Sequence, residues 1–119
     1  MLPDGMTVRV DKKTAYEPDA LVHGGQKQAR SAVEVSNPVI VVEVLSPSTA
    51  HTDMSAKLVG YFSLPSIAHY LIIEPGRPLM IRHARQSNDT ILTRIVTGGT
   101  IELTPPGLSL CVDDIYRKA

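Results

Sequence analysis

The sequence has few aromatic residues and no excess of charge of either sign. Its 119 residues include no Trp, one Phe and four Tyr, so a core must rest on Val, Ile and Leu, which favour β-strands. Lys and Arg together number 12, as do Asp and Glu, which excludes the bulk basic field of a typical DNA-binding protein but not a local basic patch. The length suits one core, so we predict a single domain over residues 1–119.

Disulfide, zinc-site and membrane signals are missing as well. Cys111 is the only cysteine, and no Cys/His cluster has the spacing of a zinc site. No apolar run approaches the roughly 20 residues needed to cross a bilayer, and no signal peptide opens the chain. We therefore expect a cytoplasmic protein without membrane contact.

Short strand patterns separated by turns make up most of the chain. Residues 2–5 are typical of a turn, and 26–37 of a polar connection. Asp53 is a plausible N-cap for a helix to about residue 64, which Pro65 terminates, and a short helix is predicted over 112–118. Strands are predicted over residues 6–10, 20–23, 39–45, 70–74, 79–83, 91–96 and 100–103, with a hairpin turn over 75–78.

The order of these elements predicts an α/β fold with a mixed β-sheet and a crossover helix. The run 39–45 is apolar on both faces and therefore indicates a central, covered strand. A helix between two buried strands implies that those strands pair in parallel. The strand over 20–23 is expected to pair with 39–45 in the antiparallel direction.

Glu43 and Asp19 are the candidate metal ligands. Glu43 interrupts an aliphatic run, where an ionised carboxylate without a cationic partner would cost several kcal/mol. Asp19 begins one strand and Glu43 lies near the end of the next, so antiparallel pairing would bring the two carboxylates together. A Mg²⁺ ion, which binds one or two carboxylates and several waters, would make that closeness tolerable. Taken singly, each acid is more often a turn or salt-bridge residue.

Lys57 is the third candidate. Met54, Lys57, Leu58 and Tyr61 have helical spacing, so they form the face that should cover the sheet. From there the lysine could reach the carboxylates and stabilise charge that develops on a phosphate. Its commoner role would be to pack its stem and keep its charge in water. Asp53 is more simply explained as a cap.

Two stretches around these residues resemble the Uma-two family of bacterial restriction endonucleases, a branch of the PD-(D/E)XK nuclease superfamily. They are residues 17–22 (EPDALV) and 41–49 (VVEVLSPST). The likeness continues through further matching positions and spans nearly the whole chain. Those positions are Asp53, Lys57, Leu58, Tyr61, residues 69–75 and residues 105–108.

The resemblance implies a restriction-endonuclease-like sheet sandwiched by helices and a Mg²⁺-dependent (or Mn²⁺-dependent) hydrolysis of DNA phosphodiesters. It carries the metal-ligand role onto Asp19 and Glu43. In our nuclease hypothesis the carbonyl of Val44 is a further ligand. The superfamily lysine would stand at Leu45, which cannot serve, so the resemblance assigns that role to Lys57. Family members carry an N-terminal helix and hairpin that this chain mostly lacks. We therefore expect a homodimer that covers the open sheet face.

Three functions follow as hypotheses. The first is a metal-dependent DNA endonuclease with Asp19, Glu43 and Lys57 as catalytic residues and Arg82, Arg85 and Arg94 as phosphate contacts. The second is an inactive nuclease-fold module for interaction or oligomerisation, which Leu45 and the neutral charge favour. The third is a small β-rich ligand-binding domain, in which a Lys or Arg rather than Asp19 would match Glu43.

Overall fold

The computed structural model describes residues 2–3, 7–10, 12, 15–16, 18–23, 37–45, 54–87 and 89–116. These residues form ten strands and two helices. In chain order the elements are β1 Leu2–Pro3, β2 Val8–Arg9, β3 Ala15–Tyr16, β4 Ala20–His23, β5 Pro38–Val44, α1 Met54–Phe62, β6 His69–Glu74, β7 Leu79–Arg85, β8 Ile91–Val96, β9 Thr100–Leu103, β10 Leu108–Cys111 and α2 Val112–Tyr116. No described helix is long and apolar enough to span a membrane.

Six strands form one mixed sheet, in the order β1-β4-β5-β6-β7-β8. β5 and β6 pair in parallel, whereas β4 pairs antiparallel with β5, as predicted. α1 lies in the chain between the two parallel strands. β2–β3 and β9–β10 form two further antiparallel ribbons. The protein is therefore a mixed α/β fold, as the strand and helix patterns predicted.

The strands β5 and β6 are covered on both faces of the sheet. This explains why their sequences are almost continuously aliphatic. One face, here called the helix face, carries side chains that pack under α1. The opposite face, here called the hairpin face, packs against β9, β10 and α2. Leu21, Val41, Tyr70 and Ile72 belong to the helix face, and Ile40, Leu71, Ile73 and Met80 to the hairpin face.

Several predicted elements coincide with the observed ones, and others differ. The strands over 20–23, 91–96 and 100–103 have the predicted bounds, and 75–78 joins β6 to β7. α1 ends at Phe62 rather than near residue 64, and α2 is described only as far as Tyr116. Residues 2–3 are a strand paired with β4, where a turn was predicted. Asp53 and most of the connection 26–37 lie outside the described residues.

Candidate active site

Glu43 is the penultimate residue of β5, and its side chain points to the helix face. Side chains alternate between the faces of a strand, so Glu43 shares a face with Val41. Its register partner on β6 is the buried Ile72. The residue is 5% exposed, an unusual degree of burial for a carboxylate. The local sequence is strand-forming because Val and Ile surround this one acid, so the charge is held inside by the strand itself.

Lys57 of α1 supplies the cation that the buried acid requires. Its ammonium Nζ donates a hydrogen bond to Glu43 Oε2 and forms an ion pair with it. Both side chains are largely shielded from water. The helical spacing that placed Lys57 on the sheet-facing side is borne out by its neighbours, since Tyr61 is buried and Met54 and Leu58 pack on the same core.

Asp19 lies beside Glu43, one residue before the Ala20 that pairs with Val42. Its backbone N–H donates to the carbonyl of Val42 at 2.9 Å, and its Oδ2 accepts the N–H of Val44 at 2.7 Å. Asp19 is exposed, in contrast with Glu43. These two bonds hold the carboxylate at the end of β5, so β4 and β5 bring the two acids to the same end of the paired strands.

Opposing effects act on the protonation of Glu43. Burial raises the pKa of its carboxyl group above the ordinary value of 4.5, and the charge of Asp19 raises it further. The hydrogen bond and the charge of Lys57 lower it, but the net direction is upward. Ala20 is the register partner of Val42, so Asp19 lies level with Glu43 along the paired strands.

The donor atoms around Asp19 and Glu43 suit a hard divalent cation. Mg²⁺ prefers oxygen ligands and is commonly held by one or two carboxylates together with water. In a strand the N–H and C=O of a residue project to the same side, and the N–H of Val44 points at Asp19, so its carbonyl is directed to that side too. Within the described part of the chain no three His, Cys, Asp or Glu side chains converge. Metal binding by these two carboxylates and this carbonyl stays a prediction.

A row of three tyrosines borders the acid–lysine pair, and the sequence analysis overlooked two of them. The rings of Tyr16 and Tyr61 lie 5.2 Å apart, and those of Tyr61 and Tyr70 lie 5.0 Å apart. Tyr61 and Tyr70 are fully buried, and neither hydroxyl has a hydrogen-bond partner among the described residues. Burial chiefly, and then the charge of Glu43, raise the pKa of both phenols. Tyr61 was identifiable from its helical spacing with Lys57.

The three arginines predicted to contact phosphate lie away from this site. Arg82 and Arg94 are register partners on β7 and β8, and they project from the hairpin face, where Arg82 donates to the carbonyl of Glu102 at 2.8 Å. Burial, and then Arg94, lower the pKa of Arg82, so the two charges are neighbours. Arg85 donates to backbone carbonyls of Phe62, Leu64 and Ile67. Their contact with DNA remains a prediction.

A cavity of about 560 Å³ lies on the hairpin face and reaches the candidate site at one point. Its lining is aliphatic except for Ser109 and Asp19. Asp19 therefore belongs both to the carboxylate pair and to the rim of this cavity. The rest of the lining consists of Ala20, Val22, Ile40, Val42, Val44, Leu71, Ile73, Leu103, Leu108, Leu110 and Ile115.

Comparison with known proteins assigns the chain to a family. Residues 2–113 match the model of the family Uma2, which is described as "Putative restriction endonuclease". The chain is also 32% identical over 101 residues to "Uncharacterized protein slr1290" of Synechocystis sp. (strain ATCC 27184 / PCC 6803 / Kazusa). That match covers 84% of this chain and 53% of the relative, so the chain spans about half the length of this curated relative. A family match that extends from β1 into α2 and includes Asp19, Glu43 and Lys57 shows that the chain belongs to the Uma2 family.

Proposed function

We propose that this chain carries the catalytic site of a metal-dependent endonuclease that hydrolyses phosphodiester bonds in DNA. The observation that carries the proposal is the buried Glu43, which is paired with Lys57 and has Asp19 as a neighbour. Two acids and a lysine at one end of paired strands in a mixed sheet are the groups that such hydrolysis requires. Membership of a family described by restriction endonuclease activity supports the same reaction class, and the mixed sheet is consistent with a restriction-endonuclease-like fold.

Asp19, Glu43 and the carbonyl of Val44 would hold a Mg²⁺ or Mn²⁺ ion at this end of the strands. When bound, such an ion acts as a Lewis acid toward the phosphate and makes hydroxide available near neutral pH. The protein's own contribution is to keep the carboxylates in fixed positions. Val44 does this for Asp19 through its N–H, and Lys57 does it for Glu43.

Lys57 would place a positive charge beside the phosphate that is attacked. A fixed ammonium group in a poorly hydrated site stabilises negative charge more strongly than one in water, because the effective dielectric constant there is lower. Its present partner is Glu43. When a cation is held by the two carboxylates, it would share the neutralisation of Glu43 and leave the lysine charge available to the substrate.

The decisive experiment compares plasmid cleavage by the wild type, Asp19→Asn, Glu43→Gln and Lys57→Met in Mg²⁺ or Mn²⁺. The first two variants should lose cleavage by a factor of at least about 100, and Lys57→Met by about 10–100. Asp89→Asn is the matched control, since Asp89 is an exposed loop residue with φ of 59°, a conformation that Asn tolerates. Equal cleavage by Glu43→Gln and the control would refute the assignment.

The alternative is an inactive nuclease-fold module that forms a homodimer. The exposed Ile95 and Leu92 on the edge strand β8 favour it, because unpaired edges with apolar side chains tend to associate. Calorimetric titration with Mn²⁺ separates the two functions, since an active acid pair binds the ion and an inert one does not. Sedimentation velocity reports the dimer independently.

A ligand-binding role is the third candidate, and two observations favour it. Glu43 is matched by Lys57, as this hypothesis requires, and the cavity on the hairpin face has the size of a small-molecule site. However, the same hypothesis requires Asp19 to be remote, whereas the register of β4 and β5 brings Asp19 level with Glu43. The nuclease proposal accounts for both acids.

A further inference from the structure

Tyr16 belongs to a ribbon that is anchored to the core of the helix face. It pairs with Val8 across β2 and β3, and Val8 is fully buried in the same cluster as Tyr61 and Val41. The ribbon is therefore fixed to the core through Val8. Because Val8 pairs with Tyr16, its burial also holds the ring of Tyr16 close to α1.

Gly60 of α1 leaves room for the ring. A Cβ atom built on Gly60 would lie 3.0 Å from Cε2 and 3.5 Å from the hydroxyl oxygen of Tyr16. The 3.0 Å distance is tighter than ordinary van der Waals contact, so even a methyl group there requires the ring to shift by a few tenths of an ångström. Glycine inside a helix costs about 1 kcal/mol relative to alanine. Gly60 therefore lowers the stability of α1, and it does so at the turn where the ring of Tyr16 packs against the helix.

The same ring lies over the ammonium group of Lys57. Nζ is 5.6 Å from the ring centroid of Tyr16, which is within the range of an attractive cation–π contact. Lys57 and Gly60 are three residues apart, so they share one side of α1. Lys57 is therefore held by two groups from different parts of the fold, the carboxylate of Glu43 and the ring of Tyr16.

We infer that Tyr16 is a positioning residue that keeps the ammonium group of Lys57 at Glu43. The inference rests on the proposed function only where it concerns catalysis. A lysine has four rotatable bonds, and holding one in a single arrangement costs up to about 2 kcal/mol of side-chain entropy. Two anchors limit that freedom more than one. The ring of Tyr16 is supported in turn by Tyr61, whose ring centroid lies 5.2 Å away.

The position of Lys57 can be measured without any nuclease assay. Acylation of lysines by an acetylating reagent, followed by peptide mass spectrometry, gives the rate at Lys57 relative to the exposed Lys12. Tyr16→Leu should raise this ratio about two- to fivefold, as loss of a cation–π contact predicts. Tyr16→Phe keeps the ring and should leave the ratio unchanged. Gly60→Ala displaces the ring and should raise it.

Leu103→Ala is the matched control for general loosening. It removes buried side-chain volume on the hairpin face and leaves the ribbon, Tyr16 and Lys57 intact, so it should lower the free energy of unfolding without changing the ratio. A ratio in Tyr16→Leu equal to that of the wild type overturns the inference. So does a ratio in Leu103→Ala as high as that in Tyr16→Leu. If Tyr16→Leu fails to fold, the comparison of Gly60→Ala with Leu103→Ala decides.

Cleavage rates then separate this inference from the proposed function. If the wild type cleaves DNA, Tyr16→Leu and Gly60→Ala should cleave more slowly with unchanged Mn²⁺ affinity, and Tyr16→Phe should restore the rate. If the wild type does not cleave, the proposed function fails, while the acylation ratios still test the position of Lys57. Cleavage by Tyr16→Leu at the wild-type rate would overturn the catalytic part of the inference.

Discussion

At the scale of single residues, the interaction of Glu43 with Lys57 is better explained by function than by stability. Removing two charges from water costs several kcal/mol, and their attraction offsets that cost only with good geometry. An apolar pair of the same volume would stabilise a core at least as well. A carboxylate held inside, with its pKa raised by burial, is instead typical of a site that binds a proton or a cation.

The raised pKa of Glu43 predicts how metal affinity depends on pH. A proton and a divalent cation compete for the same oxygens, so the affinity for Mn²⁺ should fall on acidification. Because burial raises the pKa of Glu43, this fall should begin at a higher pH than the ordinary value of 4.5 implies. Below that pKa the affinity should fall about tenfold per pH unit. Calorimetry across the acidic range measures it.

The carboxyl carbon of Glu43, followed by NMR in the absence of metal, gives the pKa independently. In the wild type, the pH at which the Mn²⁺ affinity begins to fall should agree with the pKa that NMR gives for Glu43. Glu43→Gln should show neither this fall nor this NMR titration. An affinity that stays constant through the measured pKa would show that Glu43 does not bind the ion.

The sequence identified the acids and the lysine but overlooked Tyr16. Glu43 was conspicuous because it is charged within an aliphatic strand, and Lys57 because it shares a helical stripe with Tyr61. Tyr16 is in a two-residue strand, where no periodicity can be read. The remaining signal was Gly60, a small residue inside a helix, which indicates close approach of a neighbour without naming it.

At the scale of elements, Arg85 joins the end of α1 to the strand β7. Its guanidinium group donates to the carbonyls of Phe62 and Leu64 at 2.9 and 3.0 Å, and its Nε donates to Ile67 at 2.9 Å. The last carbonyls of a helix have no partner within the helix, and a cation there also interacts favourably with the negative end of the helix dipole. Arg85 therefore fixes the helix that carries Lys57.

Arg85→Met should lower the free energy of unfolding by about 2–3 kcal/mol, because three hydrogen bonds from a charged donor are lost. Arg85→Lys should recover little of this, since an ammonium group lacks the planar fork. Urea unfolding monitored by circular dichroism measures both. Arg77→Met in the exposed β6–β7 turn is the control and should change the stability by less than about 0.5 kcal/mol. A similar loss in both methionine variants would contradict this role.

The long strands and two four-residue strands, β4 and β9, were predicted from the sequence, whereas three other short strands were not. β5, β6 and β8 carry enough strand-forming residues to be recognised locally. β1, β3 and β10 were missed because they carry little strand pattern of their own and are defined by the strands with which they pair. The Pro-rich start of the chain indicated a turn, yet Pro3 pairs at the sheet edge, where proline is tolerated.

At the scale of the whole molecule, the two faces of the sheet divide the polar groups between them. The helix face holds Glu43, Lys57 and the tyrosines, and the hairpin face holds His69, Arg82 and the apolar cavity. Asp19, at the end of the paired strands β4 and β5, lines the cavity and lies level with Glu43. This division follows from the alternation of side chains along strands, so the face of each charge was predictable once the register was known. The pairing of β9 with β10 to cover the hairpin face was not predictable in this way.

Acid stability of the whole fold should depend on His69. This residue is 2% exposed, and neither ring nitrogen has a hydrogen-bond partner among the described residues. Burial first, and then the charge of Arg82, lower its pKa below 6.5, while the nearby backbone of Pro105 and Thr104 opposes this only in part. Below pH 6.5 the unfolded chain therefore binds a proton that the folded chain does not. Stability contributed by neutral His69 is present above pH 6.5 and is lost as the pH falls.

His69→Gln should remove that part of the pH dependence, which amounts to at most about 1.4 kcal/mol per pH unit. The measurement is the free energy of unfolding in urea between neutral and mildly acidic pH, with the wild type and variant compared at each pH. Glu43 acts in the opposite direction, because a raised carboxyl pKa makes stability fall as the pH rises above 4.5. It is common to both proteins and cancels in the difference. A difference that does not vary with pH would mean that His69 titrates equally in the folded and unfolded chains, and that its burial has no electrostatic cost.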